Sequence, residues 1–171
     1  MKKLFLLMVL ASCSPLVSYR DTSVPISTAA LFDPARYTGT WHEVARFPVP
    51  FEEGCHGVTA TYETLPDSTL SVLNICRDNT GAEISRINGT AEITGPGRLK
   101  VRFASVPFVA AEYWVLWVDT DYQTAVVGSP AGTSGWILNR DPVIPADKMN
   151  AAQEILRFNG YNTSQLVEVS Q

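Results

Sequence analysis

Residues 37–47 read Tyr-Thr-Gly-Thr-Trp-His-Glu-Val-Ala-Arg-Phe, and this stretch carries the clearest structural signal in the chain. Its centre, from Gly39 to Arg46, mixes apolar and polar residues in a short run that begins at a glycine. Such a run is typical of a β-strand, because the side chains of a strand alternate between its two faces. The stretch therefore predicts a first strand that opens with Gly39, Thr40 and Trp41.

Similar runs continue along the chain as far as Arg140, each bounded by Gly, Pro, Asp or Asn. The breaks between them, such as residues 66–68, 78–81 and 95–97, have the composition of hairpin turns. This pattern predicts an antiparallel all-β domain. The eight predicted strands are Gly39–Arg46, Gly57–Glu63, Thr69–Cys76, Ile84–Ile93, Arg98–Phe103, Tyr113–Asp119, Gln123–Gly128 and Trp136–Arg140.

The period of the apolar residues changes after Pro145. They recur at helical spacing from Ala146 to Asn159, and Gly160 stands where a helix is expected to end. A last short strand, Leu166 to Val169, is expected to add to the edge of the sheet. Eight strands and one helix can form a sandwich or a closed barrel, and the pattern alone leaves both open.

The composition fits one globular domain with a substantial core, since 46% of the 171 residues are hydrophobic and 18% are charged. The formal net charge is -4 and the isoelectric point is about 5.1. Nucleic-acid binding needs clustered Lys and Arg to neutralise phosphates. We therefore expect no nucleic-acid partner.

Three segments resemble the signature regions of the lipocalin family: Gly39-Thr40-Trp41, Thr120-Asp121-Tyr122 and Arg140. Residues 37–47 are especially similar to the bacterial outer-membrane lipoprotein and apolipoprotein-D-like branch, and the resemblance extends over about residues 32–170. It implies an all-β fold, an eight-stranded antiparallel up-and-down β-barrel with one C-terminal α-helix packed outside. The barrel domain is then expected over residues 32–171.

A closed barrel requires its first and last strands to pair, which brings Trp41 and Arg140 to one end. The guanidinium can then lie over the indole face and donate to backbone carbonyls, a cation–π arrangement worth ~1–2 kcal/mol. The resemblance implies that this end is the closed bottom of a cup, so we expect a structural role here and not a catalytic one. The predicted barrel-closing residues are Gly39, Trp41, Thr120, Asp121, Tyr122 and Arg140.

The period of two also predicts which side chains line the interior. The candidates are Val58, Ala60, Tyr62, Val72, Asn74, Leu99, Val101, Phe103, Tyr113, Val115 and Trp117. In the sixth strand Trp114, Leu116 and Val118 form a second apolar face, which the helix would cover. A solid core without a cavity is the alternative, since side chains can fill an eight-stranded barrel.

The N-terminus has the layout of an exported lipoprotein. Two lysines precede a short apolar run, Leu4 to Leu10, which is too short to span a membrane. The sequence Leu10-Ala11-Ser12-Cys13 resembles the bacterial lipoprotein box, which implies a signal peptide over residues 1–12 and a lipid on Cys13. The alternative is an ordinary signal peptide with an incidental cysteine.

Ser14 is similar to the pattern that directs lipoproteins to the outer membrane. Residues 13–31, which are rich in Ser, Thr and Pro, are expected to form the lipidated N-terminus and a tether to the domain. The protein is then expected on the periplasmic side of the outer membrane, attached to the membrane by its N-terminal lipid.

Two cysteines remain, Cys55 and Cys76, and an oxidising periplasm favours a disulfide between them. The bridge would hold the loop Pro48–Glu53 over the opening of the barrel and contribute ~3 kcal/mol. The alternatives are a reactive thiol, or a metal site with His56, although the spacing typical of zinc ligands is missing. We therefore predict no metal ligands and no cofactor.

An interior lined by Val, Leu, Phe, Tyr and Trp suits one apolar or amphipathic molecule with its tail inside. The resemblance implies a fatty acid or lysophospholipid that is stored or transported at the outer membrane. Arg46 and Arg86 are candidate head-group partners by charge, although a solvated surface position is the commoner role for arginine. Haem ranks last among the ligands, because neither His42 nor His56 is placed to bind it.

Two further function classes stay open. The sequence has no Gly-x-Ser-x-Gly elbow, P-loop or dinucleotide fingerprint, so we do not predict an enzyme. The one enzymatic alternative is a cavity-thiol isomerase that uses Cys76, and a disulfide with Cys55 would exclude it. The second class is an envelope protein-interaction module with a filled barrel, and a homodimer is also left open.

Overall fold

The computed structural model describes residues 17–171, so the predicted signal peptide and Cys13 lie outside the described residues. Short 3-10 turns, Pro50–Glu52 and Thr163–Gln165, lie between the main elements. Those elements, in chain order, are α1 (Pro34–Tyr37), β1 (Gly39–Arg46), β2 (Gly57–Thr64), β3 (Leu70–Arg77), β4 (Glu83–Gly95), β5 (Arg98–Phe103), β6 (Ala110–Val118), β7 (Thr124–Gly128), β8 (Gly135–Asn139), α2 (Ala146–Phe158) and β9 (Val167–Glu168).

The strands form one antiparallel sheet in which β2 to β7 each pair with the next strand in sequence. β1 closes this sheet, because Trp41 lies opposite Ala60 of β2 while Arg46 lies opposite Trp136 of β8. The predicted eight-stranded barrel is therefore confirmed, and the sandwich is excluded. β9 pairs with the last two residues of β1.

Successive strands run in opposite directions, so the connections between them alternate between the two ends of the barrel. We call the end formed by the turns 65–69, 96–97 and 119–123 the closed end. The loops 47–56, 78–82, 104–109 and 129–134 form the other end, which we call the mouth.

Two β-bulges change the face to which side chains point. The register shifts in β1 between Glu43 and Ala45, and in β6 between Val115 and Trp117. A bulge sets two residues against one on the partner strand, so the alternation of faces reverses beyond it. This reversal brings Arg46 into the interior, since its partner Trp136 packs against the inner core.

Two apolar clusters lie on opposite faces of the barrel wall. The inner cluster includes Trp41, Leu99 and Val115, all fully buried. The outer cluster lies between the wall and α2 and includes Phe47 and Ile137. Burial of both faces explains why β7 is buried along its whole length.

α2 covers the outer apolar face of β6 and β7, as predicted. Its residues Ala152 and Leu156 are fully buried against Leu116 and the outer cluster. The helix ends before Gly160, whose φ of 84° lies in the left-handed region that favours glycine. Within residues 17–171, no helix is long and apolar enough to cross a bilayer.

The described part of the predicted tether lies against the barrel instead of extending freely. The Tyr19 ring stacks on Phe47 with centroids 5.0 Å apart, and the Tyr19 backbone N–H donates to the carbonyl of Gly132 at 2.7 Å. Arg20 is buried, and its Nε donates to the carbonyl of Asn159 at 3.0 Å. The Ser, Thr and Pro content of this segment is typical of a linker. Composition alone does not show that a few of its residues make specific contacts with the barrel.

Candidate functional site

The closed end is built around Arg140 and Trp41. The guanidinium carbon lies 3.7 Å from the centroid of the indole ring. Its nitrogens donate to the carbonyls of Tyr122, Thr40, Arg36 and Thr38, at distances of 2.8–3.2 Å. A single side chain therefore ties the start of β1 to the turn between β6 and β7.

The remaining predicted closing residues surround this pair. Gly39 has a φ of 92°, and a Cβ there would stand 3.3 Å from Nη1 of Arg140, so both conformation and space favour glycine. Arg36 lies over the ring of Tyr122 at 4.1 Å and donates to the carbonyl of Thr120 at 2.8 Å. The Asp121 carbonyl accepts a hydrogen bond from Gln123 at 3.0 Å.

Aromatic rings fill the lower half of the interior. Tyr37 lies at the centre, with ring centroids 5.0 Å from Trp41 and 5.2 Å from both Phe32 and Tyr62. Tyr113 continues the column, 6.2 Å from Tyr62. This part of the barrel has a solid core.

Three tyrosine hydroxyls meet at the top of the filled part. The Tyr113 hydroxyl lies 2.9 Å from the hydroxyls of both Tyr37 and Tyr62. Burial raises the pKa of Tyr62 to about 12 and raises the pKa values of the other two well above the ordinary value of 10.0. The three groups are therefore neutral hydrogen-bonding partners, and we call Tyr62 and Tyr113 the floor.

Above the floor the inward-facing side chains are partly accessible to solvent. The inward-facing residues there are only half-buried, whereas those below are buried. We call this region the upper cavity, and its walls are small or apolar apart from one amide. The half-buried residues that line it are Ala60, Asn74, Ile87, Phe103, Tyr113 and Trp136.

The amide of Asn74 is the unusual group in this wall. Its Oδ1 is buried and accepts no hydrogen bond within the described part of the chain. An unpartnered buried acceptor costs ~1–3 kcal/mol unless a donor reaches it. The upper cavity therefore offers an acceptor to a ligand hydroxyl or amine.

The rest of the predicted lining residues divide between three places. Val72, Leu99, Val101 and Val115 belong to the buried inner core, and Val58 packs on the two cysteines. The prediction for Trp117 is wrong, since this residue packs against the outer cluster. The bulge in β6 reverses the alternation there, so the prediction of an outer position for Val118 is also wrong, and this residue packs against the inner core.

The sequence reasoning did not select Ile87 or Trp136 as lining residues. Both lie at alternate positions in strands whose other inward residues are apolar, namely Ala91 and Leu138. The alternation of faces along these strands could therefore have identified both residues as inward-facing. No comparable pattern in the sequence marks the positions of the bulges.

The loop 47–56, which we call the lid, folds over one side of the mouth. A disulfide joins Cys55 in this loop to Cys76 near the end of β3, and the predicted pairing is confirmed. Val58 packs against the bridge in a small cluster of its own. Arg46 also holds the lid, since its Nη2 donates to the carbonyls of Glu52 at 3.1 Å and Cys55 at 3.0 Å.

A charged cluster lies beneath the lid, where Arg46 faces two carboxylates. Its Nη1 lies 2.8 Å from Oε1 of Glu43, and its Nε lies 3.7 Å from Oε2 of Glu52. Trp136 Nε1 donates to the same Glu52 oxygen at 3.2 Å. Arg46 is thus largely buried inside the mouth, which differs from the commoner surface position of arginine.

One guanidinium compensates only one of the two buried carboxylates. Burial and the neighbouring charge of Glu52 raise the pKa of Glu43 to about 8, and burial also raises the pKa of Glu52. The Glu43–Glu52 pair therefore retains one proton at neutral pH. The second candidate arginine, Arg86, lies apart from this cluster and is exposed, with a two-pronged ion pair to Glu83.

Two open clefts also lie along the wall, and both have Asn88 and Gly89 of β4 in their lining. One, of about 350 Å³, runs along β4 and β5 beside Thr90 and Arg102. The other, of about 250 Å³, lies over Thr61 and Ser71. Within residues 17–171, no group of three His, Cys, Asp or Glu side chains is arranged to hold a metal ion.

Comparison with known proteins gives consistent results. The family model for the lipocalin-like domain matches residues 32–171. The chain is 36% identical to temperature-induced lipocalin-1 of Arabidopsis thaliana over 147 residues, covering 80% of this chain and 77% of that protein. It is also 36% identical to the outer membrane lipoprotein Blc of Escherichia coli K12 over 143 residues, covering 82% and 80%.

Among solved structures, the allergen Per a 4 from cockroaches superposes with a TM-score of 0.67, covering 88% of this chain and 96% of that one. Its sequence is only 19% identical, so this likeness shows the fold alone.

Proposed function

The chain belongs to the lipocalin family, and we propose that it binds one small amphipathic lipid, a fatty acid or a lysophospholipid, for storage or transport at the bacterial outer membrane. The observation that carries the proposal is the upper cavity, where mainly apolar inward-facing side chains above the filled floor are only half-buried. An acyl tail would lie between Ala60, Ile87 and Phe103, where its burial is favourable. The polar head would stay at the mouth.

The groups near the mouth favour a zwitterionic head group. A free carboxylate would meet the one negative charge that the Glu43–Glu52 pair keeps at neutral pH, and the guanidinium of Arg46 is already paired with that charge. A lysophospholipid can place its phosphate toward Arg46 and its amine toward a carboxylate. These contacts support lysophospholipid over fatty acid.

Tryptophan fluorescence tests the ligand and its position together. A soluble form that begins at Ser14 is titrated, without detergent, with lysophosphatidylethanolamine and with a fatty acid. Trp136 lines the upper cavity while Trp117 packs outside the barrel wall. We expect a saturable change that the Trp117→Phe control retains and the Trp136→Phe variant largely loses.

Two results would contradict the proposal. A signal that survives in Trp136→Phe and disappears in Trp117→Phe would place the ligand on the outer wall. No response in a folded protein, shown by mass spectrometry to carry no lipid, would favour the interaction module, for which the filled lower half of the barrel gives support. Pull-down from envelope extracts would then identify the partner.

The location is a separate part of the proposal. Cys13 would carry the lipid that attaches the chain to the periplasmic face of the outer membrane, as the similarity to Blc supports. We expect labelled palmitate to be incorporated and the protein to sediment with outer-membrane vesicles. The Cys13→Ala variant should lose both properties, and retention of either would contradict lipidation at this residue.

The disulfide removes the thiol that an isomerase would need. Cys76 is bonded to Cys55 and so offers no thiolate to such a reaction. A homodimer stays a prediction, and sedimentation at increasing protein concentration would test it.

A further inference from the structure

Exposed apolar side chains collect at the mouth of the barrel. Phe108 is 99% exposed and Phe51 is 70% exposed, and Val106 and Val109 lie beside Phe108 in the same loop. Ile84, at the start of β4, adds a further exposed residue at this end. Soluble domains rarely expose apolar side chains in such groups, and a group of this kind marks a protein or membrane contact.

The loop that carries Phe108 has a defined shape. Residues 104–109 form consecutive turns, in which Val106 N–H donates to the Phe103 carbonyl and Val109 N–H to the Val106 carbonyl, both at 3.0 Å. These turns direct the Phe108 ring away from the protein. The exposure is therefore a property of a hydrogen-bonded loop.

Charge is distributed unequally around the mouth. Two of its four loops, 104–109 and 129–134, contain no charged residue, whereas the lid carries Glu52 and Glu53 and the loop 78–82 carries Asp78. The closed end carries charges in its turns, including Asp67, Asp119 and Asp121, together with Arg140. The two uncharged mouth loops could contact hydrocarbon without burying a charge, whereas the turns of the closed end could not.

The N-terminal segment reaches the barrel at the same end. Ser18 Oγ donates to the carbonyl of Ala131 at 2.9 Å, and the Tyr19 hydroxyl donates to the carbonyl of Pro48 at 2.6 Å. Cys13 precedes Ser18 by five residues, which span at most ~18 Å. A lipid on Cys13 would thus hold the mouth, and not the closed end, near the bilayer.

We propose that the mouth rim, formed by Phe51, Ile84, Val106, Phe108 and Val109, docks onto the phospholipid surface, so that the upper cavity opens directly to the membrane. This inference rests on the proposed function, because it gives a lipid ligand a path into the cavity that avoids water. The acyl anchor and the rim supply two membrane contacts at one end of the molecule.

The test uses the lipidated protein reconstituted into phosphatidylcholine vesicles whose acyl chains carry bromine, which quenches tryptophan inside the bilayer. Phe108→Trp places a reporter on the rim. Val143→Trp is the matched control, since Val143 is an apolar residue 79% exposed beyond the closed end. We expect several-fold stronger quenching of Phe108→Trp than of Val143→Trp, after subtraction of the unsubstituted protein.

Equal quenching of the two reporters, or none in either, would overturn the proposal. A Phe108→Trp reporter that is already shielded from iodide before vesicles are added would also overturn it, because a second copy would then cover the rim. If docking fails while the Trp136 signal still responds to lysophospholipid, the proposed function stands and the docking does not.

A second measurement tests whether docking of the mouth rim speeds the uptake of lipid into the upper cavity. The double variant Phe51→Ser and Phe108→Ser should take up lysophospholipid from vesicles about tenfold more slowly, since each exposed ring would contribute apolar contact with the bilayer. Its affinity for monomeric lysophospholipid should stay unchanged. An unchanged loading rate would contradict the docking role of the rim.

Discussion

The carboxylate of Glu43 makes the stability of the barrel depend on pH in an unusual direction. The folded protein holds a proton on the Glu43–Glu52 pair that the unfolded chain has already released, because burial raises the pKa of Glu43 from 4.5 to about 8. Stability is therefore greatest below the unfolded pKa and falls as the pH rises through this interval. Most acidic residues act in the opposite direction.

The pKa of Glu43 sets the size of the effect. A rise from 4.5 to about 8, at ~1.4 kcal/mol for each tenfold change in proton affinity, corresponds to about 5 kcal/mol between pH 4 and pH 9. The raised pKa of Glu52 acts in the same direction, and the two carboxyl groups titrate as a pair, so we expect a measured loss of at least about 2–3 kcal/mol.

Glu43→Gln tests this reasoning. The amide is nearly the same shape but cannot ionise, and Arg46 then faces Glu52 alone as a balanced pair. Urea unfolding between pH 5 and pH 9 should show a much smaller loss of stability in this variant than in the wild type. The matched control is Glu63→Gln, an exposed position on β2, which should retain the wild-type slope.

A Glu43→Gln variant with the same pH dependence as the wild type would refute the reasoning. The titrating group would then lie elsewhere, and the cluster beneath the lid would be an ordinary ion pair. An equal loss of the pH dependence of stability in Glu63→Gln would also contradict this account. The effect would then depend on the net charge of the protein and not on the buried pair.

Three further predictions concern the closed end, the lid and the upper cavity. Arg140→Ala removes four hydrogen bonds and the contact with Trp41, so urea unfolding should show a loss of about 3–4 kcal/mol, and Arg140→Lys should recover less than half of it. A loss below about 1 kcal/mol would contradict this account. Replacing Cys55 and Cys76 together by Ser should lower stability by ~3 kcal/mol and speed ligand release in stopped-flow fluorescence, and unchanged values would show that the bridge does not hold the lid. Asn74→Leu replaces the unpartnered acceptor beside the acyl tail by an apolar side chain, so neither lysophospholipid nor fatty-acid binding should weaken in calorimetry, and about tenfold weaker binding of either would show that Oδ1 accepts a hydrogen bond from the ligand.

The fold was readable from the sequence because strand alternation and turn residues are local signals. The eight strands, the helix after Pro145 and the meeting of Trp41 with Arg140 all follow from such signals combined with the family resemblance. The disulfide followed from the count of cysteines and the expected compartment. These features need no knowledge of side-chain packing.

The misplacement of Trp117 has a physical cause. A bulge adds one residue to β6, and nothing in Val115, Leu116 and Trp117 distinguishes a bulged strand from a regular one, because all three are apolar. The second bulge had the same effect on Arg46, which it brings into the mouth. Both bulges depend on how neighbouring strands close the barrel, which is a non-local property.

The charged cluster and the floor could not be predicted for a related reason. Glu43, Arg46 and Glu52 meet only because the lid folds back over the mouth, and the hydroxyls of Tyr62 and Tyr113 meet across the barrel. Such arrangements depend on three-dimensional closure and on loop conformation. The alternation of side chains along a strand identifies the face on which each residue lies, but not its position along the barrel axis.

The depth of the floor also limits the length of any ligand. From Val72, beside the floor, to the end of β3 at Arg77, five residues of a tilted strand rise about 12 Å along the barrel axis. One leaflet of a bilayer holds acyl tails in about 15 Å. A tail that rests on Tyr62 and Tyr113 would thus be nearly accommodated, while a longer one would leave its first carbons outside the mouth. If the proposed function is correct, these two tyrosines would set the length of acyl chain that the cavity accommodates.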